Sequence, residues 1–303
     1  MSDGPWTVPP VSPPPRLAGF LREALGERPW REVKRWISTG KVQVDGEVER
    51  DPGRTLRAGD RVALHMETPR RAGQQDEIPV VYWDAHVIVV DKPEGVTSVP
   101  YDEDMRDTAL SRAQTWLRSR TGPAPPLRVV HRIDKDTSGL LVFARTRLAE
   151  RELANQLRLH AMERRYLCVC HGRVGPARIE SMLVPDRGDG LRGSSTRGQG
   201  KRAVTHVEPV ESLAGATLCR VRLETGRTHQ IRIQLAEAGH PLVGERVYIR
   251  DHLRAGRVAL EAERLLLHAA TLGFAHPVGG APRHFEAPLP PAFEAALAAL
   301  RRP

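Results

Sequence analysis

The stretch His131-Arg132-Ile133-Asp134-Lys135-Asp136-Thr137-Ser138-Gly139 sets seven polar or charged side chains into the eight positions 131 to 138. It is flanked by Arg128-Val129-Val130 and Leu140-Leu141-Val142-Phe143. A polar insert between two short apolar runs reads as strand, turn, strand. On the residues alone, two readings stand side by side. Asp136, Thr137 and Ser138 can bond their own backbone while Gly139 takes an unusual dihedral, which makes an ordinary surface turn. Alternatively, the densest cluster of functional groups in the chain serves chemistry.

Outward from this run, residues 127 to 130 read as the strand that delivers His131, and 140 to 144 as a buried strand after it. Residues 149 to 162 follow with helical spacing, Leu153 and Leu157 pointing inward. Upstream, Asp107 caps a helix over 108 to 120, with Ala109, Ala113, Trp116 and Leu117 on one stripe, and Gly122-Pro123 breaks it. Ile78 to Trp83 and His86 to Asp91 form two strands around a turn at Asp84-Ala85. Downstream, strands are expected at 165 to 170, 203 to 210 and 217 to 224. Thr228 then caps a short helix over 229 to 238, ended by Gly239. The Gly-, Arg-, Ser- and Thr-rich stretch 187 to 202 reads as a surface loop whose cations can hold phosphates.

At 303 residues the chain suits two compact units, and 40% hydrophobic with 27% charged residues is a globular composition. Lys and Arg outnumber Asp and Glu by 46 to 37, a formal charge of +9 that suits a phosphate-rich partner. No apolar run is long enough to span a bilayer and residues 1 to 17 lack a signal-peptide pattern, so a soluble cytoplasmic protein is expected. Cys168, Cys170 and Cys219 have no framework spacing. A zinc site at Cys168, Cys170 and His171 lacks a second ligand pair, and a buried strand face is the better reading.

Residues 1 to 15 read as a flexible Pro-rich leader, 16 to 66 as a small folded unit, 67 to 77 as a polar linker and 78 to 303 as a second domain. In the small unit, Trp30, Val33, Trp36 and Ile37 share a helical face that packs. Arg31, Lys34 and Arg35 lie mostly on the other, with Lys41 just beyond Gly40. With Lys41-Val42-Gln43-Val44-Asp45-Gly46 and Leu56-Arg57-Ala58-Gly59-Asp60-Arg61-Val62, residues 16 to 66 resemble the ribosomal-protein-S-four-like RNA-binding domain. That resemblance implies that Arg31, Lys34, Arg35 and Lys41 contact structured RNA. Ala18 and Gly19 stand where that family commonly carries Asp and a longer residue.

Arg132-Ile133-Asp134 followed by Thr137-Ser138-Gly139 is similar to the signature of the RluA-type RNA pseudouridine synthases. Val90-Asp91-Lys92-Pro93-Glu94-Gly95, Arg164-Arg165-Tyr166, Thr225 to Arg232, Gly239 to Glu245 and Leu267-His268-Ala269 agree in order and rough spacing. The resemblance covers about 78 to 290. It implies an α+β fold, a mixed, largely antiparallel sheet with flanking helices, and isomerisation of uridine within RNA without metal or organic cofactor. Asp134 becomes the catalytic carboxylate, either attacking the sugar or taking a ribose proton. Tyr166 stacks on the target uracil, and Arg232 pairs with Asp134, holding it ionised. Arg132 takes part in base flipping, and His131 and Arg227 join it as RNA contacts. Two-carboxylate glycoside hydrolysis by Asp134 and Asp136 is disfavoured, because residues two apart on an extended segment project to the same side. The RNA-binding unit favours large-subunit ribosomal RNA over transfer RNA, and a monomer is the simplest state. A non-catalytic RNA-binding factor on the same fold is the rival reading.

Overall fold

The computed structural model describes residues 4–12, 14–38, 41–49, 51–65, 77–101, 105–195 and 198–301. The chain divides into two compact units, Met1–Asp76 and Glu77–Pro303. Of the expected linker, 67 to 76 lie outside the described residues.

The first unit contains β1 (Trp6–Thr7), α1 (Leu17–Ala24), α2 (Trp30–Ser38), β2 (Val42–Val44), β3 (Glu47–Glu49) and β4 (Arg61–Leu64), with its sheet in the order β1-β4-β2-β3. Alternation along β2 and β4 puts Val42, Val44, Val62 and Leu64 into one core with Leu17 and Leu21 of α1 and Val33 and Ile37 of α2. Part of the expected leader joins this unit. Trp6 and Thr7 pair with Val62 and Arg61, and Val8 is buried in the same core, because apolar burial and an open sheet edge offset the cost of ordering the chain. Trp30, expected on the packed face, stays 48% exposed. Val33, Trp36 and Ile37 already fill the space against α1. The Trp30 ring lies 5.0 Å from the Arg22 guanidinium carbon and 5.9 Å from Lys34 Nζ.

The second unit is α+β, with strands β5 (Val80–Trp83), β6 (Val87–Lys92), β7 (Arg128–Val129), β8 (Ser138–Ala144), β9 (Glu163–His171), β10 (Ala177–Val184), β11 (Gly193–Ser194), β12 (Lys201–Leu213), β13 (Ala216–Leu223), β14 (Leu267–Ala275) and β15 (Pro282–Glu286). Its helices are α3 (Ala109–Thr121), α4 (Arg147–Arg158), α5 (Gln230–Glu237), α6 (Arg250–Arg254) and α7 (Pro291–Leu300). All eleven strands join one sheet, whose main path runs β11-β10-β12-β13-β9-β14-β8-β6-β5, with β15 on β14 and β7 on β8. Every ladder between named strands is antiparallel except β14 with β8, where His268 and Ala269 lie opposite Ser138 and Gly139. Each residue of β8 is buried, as a strand covered on both faces requires.

Three helix starts differ from expectation. Thr108, not Asp107, caps α3: its hydroxyl accepts from Ser111 N–H at 3.1 Å, and the Ser111 hydroxyl accepts from Thr108 N–H at 2.9 Å. Asp107 pairs instead with Arg112, 2.7 Å away. Helix α4 begins earlier than expected, behind its cap Thr146, and ends at Arg158. The backbone turns left-handed at His160, and Met162 enters the core from outside the helix. Helix α5 starts behind His229, left-handed at φ 56, without a Thr228 cap. The Gln230 side chain closes that start, its Oε1 accepting Arg227 N–H at 3.0 Å and the Thr225 hydroxyl at 2.8 Å.

Candidate active site

The run 131 to 137 leads into β8 where that strand meets β14. Asp134 and Asp136 sit on a turn, closed by Thr137 N–H donating to Asp134 O at 3.1 Å, rather than on an extended segment. Gly139 has φ 114, and a Cβ there would lie 2.3 Å from Ala269 O, so the close parallel approach of β8 to β14 admits only glycine.

Several buried groups hold this turn. The Ser98 hydroxyl donates to Ile133 O at 2.6 Å and accepts Ile133 N–H at 3.1 Å. Lys92 is fully buried, and its ammonium donates to Pro93 O at 2.8 Å, Val96 O at 2.7 Å and Lys135 O at 3.0 Å. Three carbonyls match its three N–H donors. Burial lowers the Lys92 pKa to about 7, against the pull of Asp136 and Asp134. Arg264 Nη2 donates to the Ser138 hydroxyl at 2.8 Å and its guanidinium also pairs with Glu94. Ser138 Oγ in turn lies 2.8 Å from His268 Nδ1. Burial, with Arg264 nearby, lowers the His268 pKa to about 4, so the ring is neutral at physiological pH. Lys92, Ser98, Arg264 and His268 received no role from sequence. Lys92 and His268 stand in stretches that carry the resemblance, but nothing local marks what they bond.

The Asp134 side chain is 22% exposed, with Oδ2 4.0 Å from Arg232 Nη1. The nearer partner of Arg232 is Glu245, which accepts Nε at 2.7 Å and Nη2 at 2.8 Å in a bidentate pair. Where the resemblance gives Arg232 to Asp134, the structure holds two of its three nitrogens on Glu245 and leaves Nη1 towards the aspartate. Glu245 Oε1 also accepts Val247 N–H at 2.8 Å. Burial would raise Glu245, and the Arg232 guanidinium more than reverses this, holding its carboxyl below the usual range. Arg232 shows the opposite balance: burial pulls it down and Glu245 raises it above its ordinary value. Gly244 is what lets the backbone make this approach, since at φ 79 a Cβ would lie 1.9 Å from Arg264 O.

Over this pair lies Tyr248, its ring centroid 5.4 Å from the Arg232 guanidinium carbon and its hydroxyl 2.7 Å from His229 Nδ1. Burial pushes the Tyr248 phenol up to about 12. Tyr166, on β9, is 6% exposed and shares one apolar cluster with Ile133, Ile231 and Leu235, the neighbours of Asp134 and Arg232. Burial raises its pKa, with the Asp134 charge acting in the same direction. Asp134, Tyr166 and Arg232, from three separate elements, therefore meet in one place.

Arg132 is exposed and its Nη2 donates to the Thr228 hydroxyl at 3.0 Å. Arg227 is exposed, its Nε donating to Arg202 O at 3.1 Å. His131, grouped by the resemblance with the RNA contacts, instead accepts Val142 N–H on Nε2 at 3.3 Å. Burial beside Arg164 lowers its pKa to about 3, so it serves β8 as a neutral ring. In the first unit Lys34 is exposed and stands over Trp30, and the Lys41 backbone joins Trp36 to His65. The side chains of Arg31 and Arg35 lie outside the described residues. Cys168 and Cys170 are buried on β9, 3.7 Å apart, with Cys219 opposite Cys168 on β13.

The RNA pseudouridylate synthase family pattern matches residues 86–237, and that of the S4 domain matches 15–62. A ribosomal large subunit pseudouridine synthase D of Xanthomonas campestris pv. campestris is 36% identical over 94% of this chain and 89% of its own length. The protein of that name in Zymomonas mobilis is 37% identical over 90% of this chain and 89% of its length. An uncharacterized RNA pseudouridine synthase of Bacillus subtilis is 33% identical over 91% and 90%. Among solved structures, human RNA pseudouridylate synthase domain containing 1 shares the fold, with a TM-score of 0.58 at 24% identity over 74% of this chain and 89% of that one.

Proposed function

We propose, because this chain belongs to the RNA pseudouridylate synthase family and carries an S4 domain, that it converts uridine to pseudouridine in large-subunit ribosomal RNA, with Asp134 acting at the ribose. The observation that carries the site assignment is the convergence of Asp134, the Arg232–Glu245 pair and Tyr166 at the start of β8. In the reaction the bond between uracil N1 and ribose C1′ breaks and one from C5 to C1′ forms. The C5 proton leaves and N1 gains a proton, so the atoms balance within one nucleotide. A carboxylate must act at the sugar, and firm walls must keep the loose base in register while it turns.

Arg232 presents Nη1 to the Asp134 carboxylate and orients it, and Glu245 keeps Arg232 aimed. Tyr166, backed by Ile133 and Ile231, is a planar wall for the detached uracil. A stacked uridine is unreachable, so the nucleotide is extruded; Arg132, exposed beside Asp134, fills its place or meets the flanking phosphate. Arg227 contributes charge along the RNA, and Lys34, Lys41, Arg31 and Arg35 supply that of the S4 domain. The ribosomal assignment follows the names of the relatives together with the S4 domain.

Asp134→Asn should form no detectable pseudouridine while still binding RNA; a fully active variant ends the assignment. Pseudouridine maps of total RNA from cells with and without the gene test the substrate. Loss of a large-subunit ribosomal site is expected, and loss in transfer RNA alone overturns that part. If the wild-type chain modifies no RNA yet binds it, the non-catalytic reading takes over.

A further inference from the structure

The loop between β10 and β11 is braced from within and from both sides. Asp186 Oδ1 accepts Gly188 N–H at 2.7 Å and Gly190 N–H at 2.9 Å, and Arg187 N–H donates to Leu191 O at 2.8 Å. Arg187 reaches Asp251 of α6 at 2.8 Å, while Asp189 pairs with Arg250 at the start of the same helix. On the far side, Ser194 N–H donates to Glu237 of α5 at 2.8 Å and the Ser194 hydroxyl donates to the same carboxylate at 2.5 Å. Arg187 and Leu191 line one crevice with Tyr248, the residue that covers Arg232 and bonds His229. The backbone around residue 192 is therefore carried to the rim of the candidate active site and kept there.

Arg192 is the odd member of this loop. Arg187 and Arg250 are neutralised by Asp189, Asp251 and Glu237, whereas Arg192 is exposed and, among the described residues, has no hydrogen-bond or ion-pair partner. Its charge is felt at His229 and at Tyr248. A guanidinium fixed at a pocket rim without a carboxylate suits an anion that arrives with the substrate, and its fork matches two oxygens of one phosphate. The bracing has already met the ordering cost that a loose loop would incur on binding.

We propose that Arg192 binds a backbone phosphate next to the target nucleotide, so that the braced loop Asp186–Ser194 sets the register of the RNA strand over Asp134. This rests on the reading of the second unit as a uridine-modifying site. It assigns a substrate contact to a residue outside the family signature stretches.

The test uses the full-length protein, a ribosomal RNA fragment that it modifies, and a series of KCl concentrations. Arg192→Gln should raise KM about tenfold at low salt, as expected for loss of one charge-assisted contact, with the effect on KM rather than kcat. The slope of log KM against log salt should fall by about 0.7 to 0.9, the counterion share of one phosphate. Arg192→Lys should keep most of the slope. Binding of the same RNA by chains carrying Asp134→Asn, with and without Arg192→Gln, reads the slope without turnover, so failure of the chemistry and failure of the phosphate contact are told apart. An unchanged slope in Arg192→Gln overturns the proposal, as does a loss in kcat accompanied by a lowered melting temperature, which marks a structural role.

Discussion

Glu245 shapes the site from behind Arg232, and its loss should be felt twice. Removing its charge leaves a buried guanidinium uncompensated, at a cost of about 3–5 kcal/mol, and releases Arg232 from the orientation that presents Nη1 to Asp134. Glu245→Gln should therefore lower both the denaturation midpoint and the single-turnover rate, with RNA affinity little changed; a variant of full rate and stability contradicts the account. His268 carries a pH signature. Free histidine titrates near 6.5 and His268 near 4, so between those values the unfolded chain binds more protons, and stability falls as pH drops from about 6.5 towards 4. The loss attributable to this ring is about 3 kcal/mol. Replacing His268 with Gln should flatten the melting temperature's decline over that window, measured by thermal melts in buffers from pH 7 to 4. At this scale the sequence made Asp134 legible through its motif. Glu245, in a motif stretch too, stayed without a role, because its partner is reached only once α5 and the loop at 244 fold together.

At the scale of elements, Gly139 decides whether β8 and β14 can run side by side. Gly139→Ala sets a Cβ against Ala269 backbone at a left-handed φ, and should cost about 2–4 kcal/mol and displace the Asp134 turn with it. Denaturation and turnover measured on the same sample should both show the loss. Thr108→Ala on α3 is the contrast. It removes a helix cap far from the turn in sequence, and should cost about 1 kcal/mol while leaving turnover intact. Asp107→Ala should cost less, since its partner is an exposed pairing with Arg112. In the second unit β5 to β9, β12, β13 and α3 to α5 were legible from period and punctuation, whereas β10, β11, β14, β15, α6 and α7 were not. The cap positions were not legible either, because neighbouring Asp107 and Thr108 are both good caps, and because α5 begins behind a left-handed His229, one residue past the start that Thr228 would cap.

On the scale of the whole molecule, a charge of +9 and the proposed phosphate contacts of Lys34, Arg132, Arg192 and Arg227 predict RNA binding by counterion release. Raising salt should raise KM along a straight log–log line while kcat holds, which steady-state assays across a KCl series will check. By itself the sequence determined the family and the stretch bearing Asp134 through motif residues and their spacing, and the α+β class came with that resemblance; period and turn residues placed single strands and helices, because these are local properties that survive without coordinates. Only the tertiary structure decided the strand order, the parallel meeting of β8 with β14, and the buried groups that hold the turn. Those depend on pairs such as Ser138 with Arg264, 126 residues apart, and Lys92 with Lys135. A hydrogen bond between distant residues leaves no periodic trace in either one's neighbourhood, so the partners of the Asp134 turn become visible only when the chain has closed upon itself.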